Sequence, residues 1–188
     1  FGDDQIGVAF TDISTGEFKV FETTNISLID DLMKLKPAEI LVVESNNQDL
    51  KHRLERVLKS TVTEIPIIYF NDEFGSEEIK DHFNVLSLKS FNLDKKPKIV
   101  SAAGALLYYL KYTQKTKLTH INKIKHFNNK EFMLLDIHTI MNLELLESID
   151  GSKKNTLLDT IDFTETAMGA RLLKQNLVLP LLNKEKIE

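Results

Sequence analysis

The stretch IGVAFTDISTGEFKVFET, Ile6 to Thr23, decides how this chain begins to fold. Ile6, Val8 and Phe10 alternate with Gly7, Ala9 and Thr11, the period-two pattern of a strand. Phe18, Val20 and Phe21 resume the pattern after Ser14-Thr15-Gly16. Gly16 stands where a short connection needs a left-handed backbone. The stretch therefore reads as two strands joined by a tight loop, the clearest hairpin in the sequence.

Working outward from it, helical and strand patterns take turns. Leu28, Leu32 and Leu35 share one helical stripe behind Ser27 as N-cap, and Pro37 ends it. EILVVES (Glu39–Ser45) is a short apolar run, typical of a strand covered on both faces. NQDLKHRLERVLKS places Leu50, Leu54, Val57 and Leu58 on one side of a helix. EIPIIYF (Glu64–Phe70) reads as another strand, with Pro66 at its edge or start. GSEEIKDHFN predicts a short helix capped by Ser76. SAAGALLYYLKYTQK predicts a longer one capped by Ser101, with Ala103, Leu106, Leu107 and Leu110 along one face. Gly104 in that helix is explained by close packing against a neighbour. Residues 1–118 thus read β-β-α-β-α-β-α-α, an α/β domain with a mixed sheet and helices on its faces. That order resembles the ribonuclease H-like architecture.

Residues 119–188 have a different texture. HINKIKHFNNKEFMLLD suggests a second hairpin turning at Asn128-Asn129. Asp136 can cap a helix in which Ile137, Met141, Leu145 and Ile149 form one stripe and Ile140, Leu143 and Leu146 lie beside it. Gly151 stops that helix. TLLDTID makes a short helix, and Thr164 or Thr166 caps AMGARLLKQNLVL up to Pro180. This part reads as a partial all-α segment whose apolar faces need partners from outside it.

The bulk properties are those of an ordinary globular protein. Across 188 residues the formal net charge is −4, which argues against indiscriminate nucleic-acid binding. No apolar run approaches the roughly 18 residues of a membrane span. Cysteine is absent, so disulfides, cysteine-ligated zinc and cysteine nucleophiles are excluded. The first residue is Phe1 and not Met, so the start reads as an internal cut. Between Lys95 and Lys130 lie nine lysines and no acid. A run of this kind is first a solvated face or linker and secondly a phosphate-facing patch.

Motifs for chemistry are scarce. Asp12, Glu44 and Asp72 fall at strand ends, where carboxylates of a ribonuclease H-like nuclease would hold a pair of magnesium ions. Asp12 also sits beside the hairpin loop, where an aspartate commonly satisfies loop N–H groups. The five histidines, His52, His82, His120, His126 and His138, contain no pair at the i, i+4 spacing of a helical metal site. There is no GxxxxGK[ST], no GxGxxG and no GxSxG. The residues by themselves give a two-part protein with no recognisable active site.

Four stretches nonetheless match one family, in order. VAFTDISTGEF, SAAGALLYYLKYTQKTKLTHI, MLLDIHTIMNLELLES and LLDTIDFTETAMGARLLKQNLVLPL resemble the bacterial MutS family of DNA mismatch-recognition ATPases. The resemblance assigns residues 1–118 to the connector domain and 119–188 to the beginning of the helical core, or lever, domain. One departure is visible: Asn176 stands where the family usually has Trp.

The resemblance implies a bacterial, cytoplasmic, nucleoid-associated parent. That parent would act as a homodimer on mismatched duplex DNA, use ATP and magnesium to become a sliding clamp, and recruit MutL. For the present segment it implies no catalysis, no cofactor and no metal, but a coupling role and a MutL docking surface. The expected docking residues are Glu78 and His82, one turn apart on one helix face. Lys115, Lys117, Lys123 and Lys125 are the expected nonspecific DNA contacts. The alternative is the magnesium-dependent nuclease built on Asp12, Glu44 and Asp72.

Overall fold

The computed structural model describes residues 5–44, 48–114, 118–128, 131–133 and 135–187. The chain divides into two compact units, Phe1–Phe127 and Asn128–Glu188.

The opening hairpin forms as read. Strand β1 (Gln5–Asp12) pairs antiparallel with β2 (Glu17–Thr24), with Asp12 opposite Glu17. Gly16 closes the loop at φ 72°, and a Cβ there would lie 2.3 Å from the His120 carbonyl oxygen. Glycine is needed on both counts.

Helix α1 (Leu28–Leu35) and strand β3 (Glu39–Val43) follow, then α2 (Gln48–Leu58) and β4 (Thr61–Ile65). β4 pairs parallel with β3 in a two-stranded sheet of its own. Pro66 ends β4, because proline has no N–H to give the ladder. Ile67–Tyr69 turn as 3₁₀ helix where a continued strand was expected.

Helix α3 (Asp72–Phe83) begins four residues before the expected Ser76 cap. Asn71 is the cap; its side chain accepts from the N–H groups of Glu73 and Phe74. Helix α4 (Pro97–Gln114) likewise starts before Ser101. Pro97 opens it, at the position where a missing N–H costs nothing.

The expected second hairpin is not formed by the described residues, and Asn129 lies outside them. Instead β5 (Ile124–His126) runs parallel to β2, giving the sheet order β1-β2-β5. Leu118, Ile121 and Ile124 enter the same core as Phe18, Val20, Ile79, Ile99 and Leu107. Residues 118–127 are therefore part of the α/β body and not a solvated linker. The strands fall into two sheets among the described residues, where one mixed sheet was expected.

Two features hold helices to this body. Gly75 of α3 and Gly104 of α4 meet backbone to backbone: a Cβ on Gly104 would sit 2.1 Å from the Gly75 Cα. On the far side of the hairpin, α1 is tied down by a polar group. Asp31 is buried, accepts from the Thr23 hydroxyl at 2.7 Å and pairs with Lys34 at 3.3 Å. The signal was present, since Asp31 lies on the stripe of Leu28, Leu32 and Leu35. Asp31→Ala leaves a buried hydroxyl and a buried ammonium without their acceptor, and should cost about 3 kcal/mol in urea unfolding.

The second unit is helical, with short elements. Asp136 caps α5 (Ile137–Asn142) by accepting from the Thr139 N–H at 2.7 Å. This holds its carboxyl below the usual aspartate range. The helix stops well before Gly151, where continuation was expected, and Glu144 takes a left-handed backbone at φ 46°. Thr156 caps α6 (Leu157–Ile161) and Thr166 caps α7 (Ala167–Val178). Beyond α7, the Met133 N–H donates to the Pro180 carbonyl and the Leu182 N–H to the Glu131 carbonyl. A last turn, α8 (Lys184–Ile187), brings Lys186 to Glu131 at 3.0 Å. Within this unit Ile149 is 91% exposed and Phe163 88%, and Met168 and Leu172 stand one turn apart on an open face of α7.

Candidate functional site

The residues singled out from sequence do not assemble into a reaction centre. Asp12 stays with its loop: its Oδ1 accepts from both the N–H and the hydroxyl of Ser14, at 2.8 and 2.6 Å. Glu44 follows β3 in the other sheet, its N–H donating to the Ile65 carbonyl. Asp72 is the first residue of α3. Among the described residues no three His, Asp or Glu side chains gather where a metal ion could be held. The nuclease alternative thus has no support in the arrangement of its own three carboxylates.

The α3–α4 pair is where the remaining candidates lie. Glu78 accepts from Lys111 of α4 at 2.9 Å, and Asp81 accepts from the same ammonium at 3.0 Å. The His82 ring nitrogen Nε2 bonds to the Ile121 carbonyl at 2.9 Å, and the ring packs edge-on against Phe83. Both Glu78 and His82 are half-buried and engaged within the unit. The expectation that they share an open helix face is corrected by these contacts. The open face of α3 carries Glu73, Glu77 and Asp81 instead. A shallow groove of about 430 Å³ beside it is lined by Asp72, Glu73, Glu77 and Asp94, with Lys80 the one base.

Lys111 braces the two helices. Burial alone would push its ammonium down, but the hydrogen bonds to Glu78 and Asp81 outweigh that and leave it above the ordinary lysine value. A raised folded value means the brace is complete below the ordinary lysine range and is lost as pH rises through the folded one. Between pH 7 and 9 the contribution of Lys111 to unfolding stability should therefore be constant. Lys111→Met should cost about 1 kcal/mol across that window.

Of the lysines expected to meet DNA, Lys115 and Lys117 lie outside the described residues. Lys123 is exposed next to β5, and Lys125 lies 3.8 Å from Glu17. Lys98 donates to the Gln5 carbonyl at 2.9 Å. The lysine run is thus partly spent on contacts within the unit.

Comparison with known proteins accounts for both units. Residues 1–122 match the family model of MutS domain II, and residues 138–188 match that of MutS domain III. The chain belongs to the MutS family. It is 37% identical over 183 residues to the DNA mismatch repair protein MutS of Clostridium kluyveri, covering 96% of this chain and 20% of that protein. It is 38% identical over 187 residues to the MutS of Dehalococcoides mccartyi, covering 99% and 21%. Against the MutS of Salinibacter ruber it is 40% identical over 185 residues, covering 98% and 20%. The chain thus spans about a fifth of the length of the MutS relatives it matches.

Asn176, the departure from the family's Trp, lies exposed on α7. No helix among the described residues is long and apolar enough to cross a membrane.

Proposed function

We infer that this chain is the connector and the start of the helical core of a mismatch-repair MutS, and that its work is mechanical. The α/β unit, whose hairpin-then-βα order resembles the ribonuclease H-like architecture, joins a mismatch-binding part of the parent to its core. The parent, a homodimer, surveys duplex DNA, exchanges ADP for ATP with magnesium, becomes a sliding clamp and recruits MutL. The present segment supplies no catalytic group and binds no nucleotide. It passes the conformational change along and offers MutL a docking face. Coupling of this kind requires a body that moves as a block and an interface with two arrangements.

The observation that carries the reading is the double family match, domain II followed by domain III, over nearly the whole chain. The backbone contact of α3 and α4 at Gly75 and Gly104 suits a block that transmits displacement without deforming. The exposed Phe163, Met168 and Leu172 suit a helical unit that meets further lever and core segments.

The test is a graft. This chain replaces the matched segment of the Clostridium kluyveri MutS, and the hybrid is expressed in a strain lacking its own MutS. Restored low mutation frequency is the expected result. Equal restoration by a hybrid carrying an unrelated α/β segment in the same place would overturn the coupling role. For the isolated chain, gel shifts should show weak binding that fades steeply with salt. Tight, salt-resistant preference for a mispair would contradict the assignment.

A further inference from the structure

Most apolar side chains left open on the first unit are scattered singly, which needs no explanation. One group is contiguous. Ile67 is 69% exposed and Ile68 64%, in the 3₁₀ turn that follows β4. The next residue, Tyr69, stacks on Tyr108 of α4 with ring centroids 3.9 Å apart, and Phe74 closes edge-on against both. Tyr112, one helical turn beyond Tyr108 and nearly parallel to it, is 72% exposed. The stack fixes the rings, so the patch is a firm surface and not a set of loose side chains.

The rim of this patch has one sign. β3 and β4 run parallel, so Glu44 and the turn at Ile67 lie at the same end of their sheet. The Glu44 N–H donates to the Ile65 carbonyl, which brings that acid close to Pro66 and Ile67. Asp72 and Glu73 follow on the other side, in the first turn of α3. All three carboxylates are exposed, and no lysine or arginine pairs with them among the described residues. Of the neighbouring bases, Lys51 is committed to Glu64 at 2.7 Å and Lys111 to Glu78 and Asp81, while Lys80 lines the groove on the other side of Asp72 and Glu73.

A firm apolar surface with an acidic border repels nucleic acid and anionic membrane alike. Its complement is an apolar stripe flanked by lysine or arginine. We propose that the surface formed by Ile67, Ile68, Tyr69, Tyr108 and Tyr112, bordered by Glu44, Asp72 and Glu73, docks a basic amphipathic helix of a partner protein. The mode is that of a helix laid on an apolar patch: aliphatic anchors touch the isoleucines and tyrosine rings, and basic residues on its flanks meet the carboxylates. The patch adjoins Glu78, whose carboxylate holds the ammonium of Lys111, the residue before Tyr112, and does not depend on the parent's activity.

The test uses the full chain and a fluorescein-labelled 18-residue helix of leucine and lysine, with its leucine–glutamate counterpart as the control. Fluorescence anisotropy should show the basic peptide binding and the acidic one not. The paired change Ile67→Asp and Ile68→Asp should weaken binding at least about tenfold, because truncating central anchors removes most of the affinity. The paired change Asp72→Lys and Glu73→Lys should weaken it severalfold and flatten its salt dependence. Tyr112→Asp, at an exposed position, gives a variant whose fold is not at risk and should also weaken binding. Equal binding to wild type and to all three variants would overturn the proposal, as would equal binding of the acidic peptide. A wild-type chain that dimerises at micromolar concentration, with the dimer lost in the Ile67/Ile68 variant, would overturn it in favour of a second copy as occupant.

Discussion

Gly104→Val should leave the first unit unable to fold, and Gly104→Ala should cost it at least about 3 kcal/mol. The reason lies in which atoms meet. A Cβ on Gly104 would stand 2.1 Å from the Gly75 Cα, and one on Gly75 would stand 2.3 Å from the Val100 carbonyl oxygen. These are backbone atoms, so no rotamer change relieves the overlap. The helices must part, and Ile79, Ile99, Ala103 and Leu107, packed around the crossing, lose their contacts as they do. Alanine's better helix propensity returns only about 1 kcal/mol. Gly169→Ala on α7 is the matched control: its nearest neighbours are side-chain atoms at 3.2 to 3.4 Å, so stability should move by less than about 1 kcal/mol. Urea unfolding followed by circular dichroism separates the two. A Gly104→Ala variant as stable as wild type would mean that the helices do not touch where described.

The second large effect concerns where the first unit can be cut. A piece comprising residues 1–127 should fold alone, and one comprising residues 1–117 should not. The ten residues between contribute Leu118, Ile121 and Ile124 to the core, and β5 to the open side of β2. Each aliphatic side chain withdrawn from water is worth about 2 kcal/mol. Three of them amount to about 6 kcal/mol, as large as the whole stability of many small domains. The shorter piece would also leave the edge of β2 unpaired, with Phe18 and Val20 uncovered, and should aggregate. A proton–nitrogen correlation spectrum with dispersed amides for residues 1–117 would refute this.

The hairpin was legible because alternation, loop chemistry and Gly16 agree within a few residues. Asp136 was legible as a cap, and Thr166 as one of two candidates with Thr164, since a short polar side chain before an apolar period has few other uses. What escaped was set by partners distant in sequence. β5 is three residues long and carries no pattern of its own; β2 makes it a strand. Ser76 and Ser101 looked like caps because serine often is one, but Asn71 and Pro97 open their helices earlier and bury both serines within the helical run. Glu78 and His82 do share a helix side, yet which side faces water depends on Lys111 and Ile121, 33 and 39 residues away. The acids at strand ends resemble metal ligands only in a single sheet, and β3 and β4 form a sheet of their own. The exposed isoleucines at the 3₁₀ turn have the composition of a strand, and Pro66 is the sign that the strand ends before them.

The parallel pairing of β5 with β2 has a consequence for synthesis. Phe18, Val20 and their neighbours leave the ribosome early, but the residues that flank them in the sheet, Ile124 to His126, follow roughly a hundred residues later. Contacts so far apart along the chain form slowly. During translation the hairpin must therefore wait with one side bare until almost the entire α/β body has emerged, and any chaperone that shields this nascent chain has its reason in that single late strand.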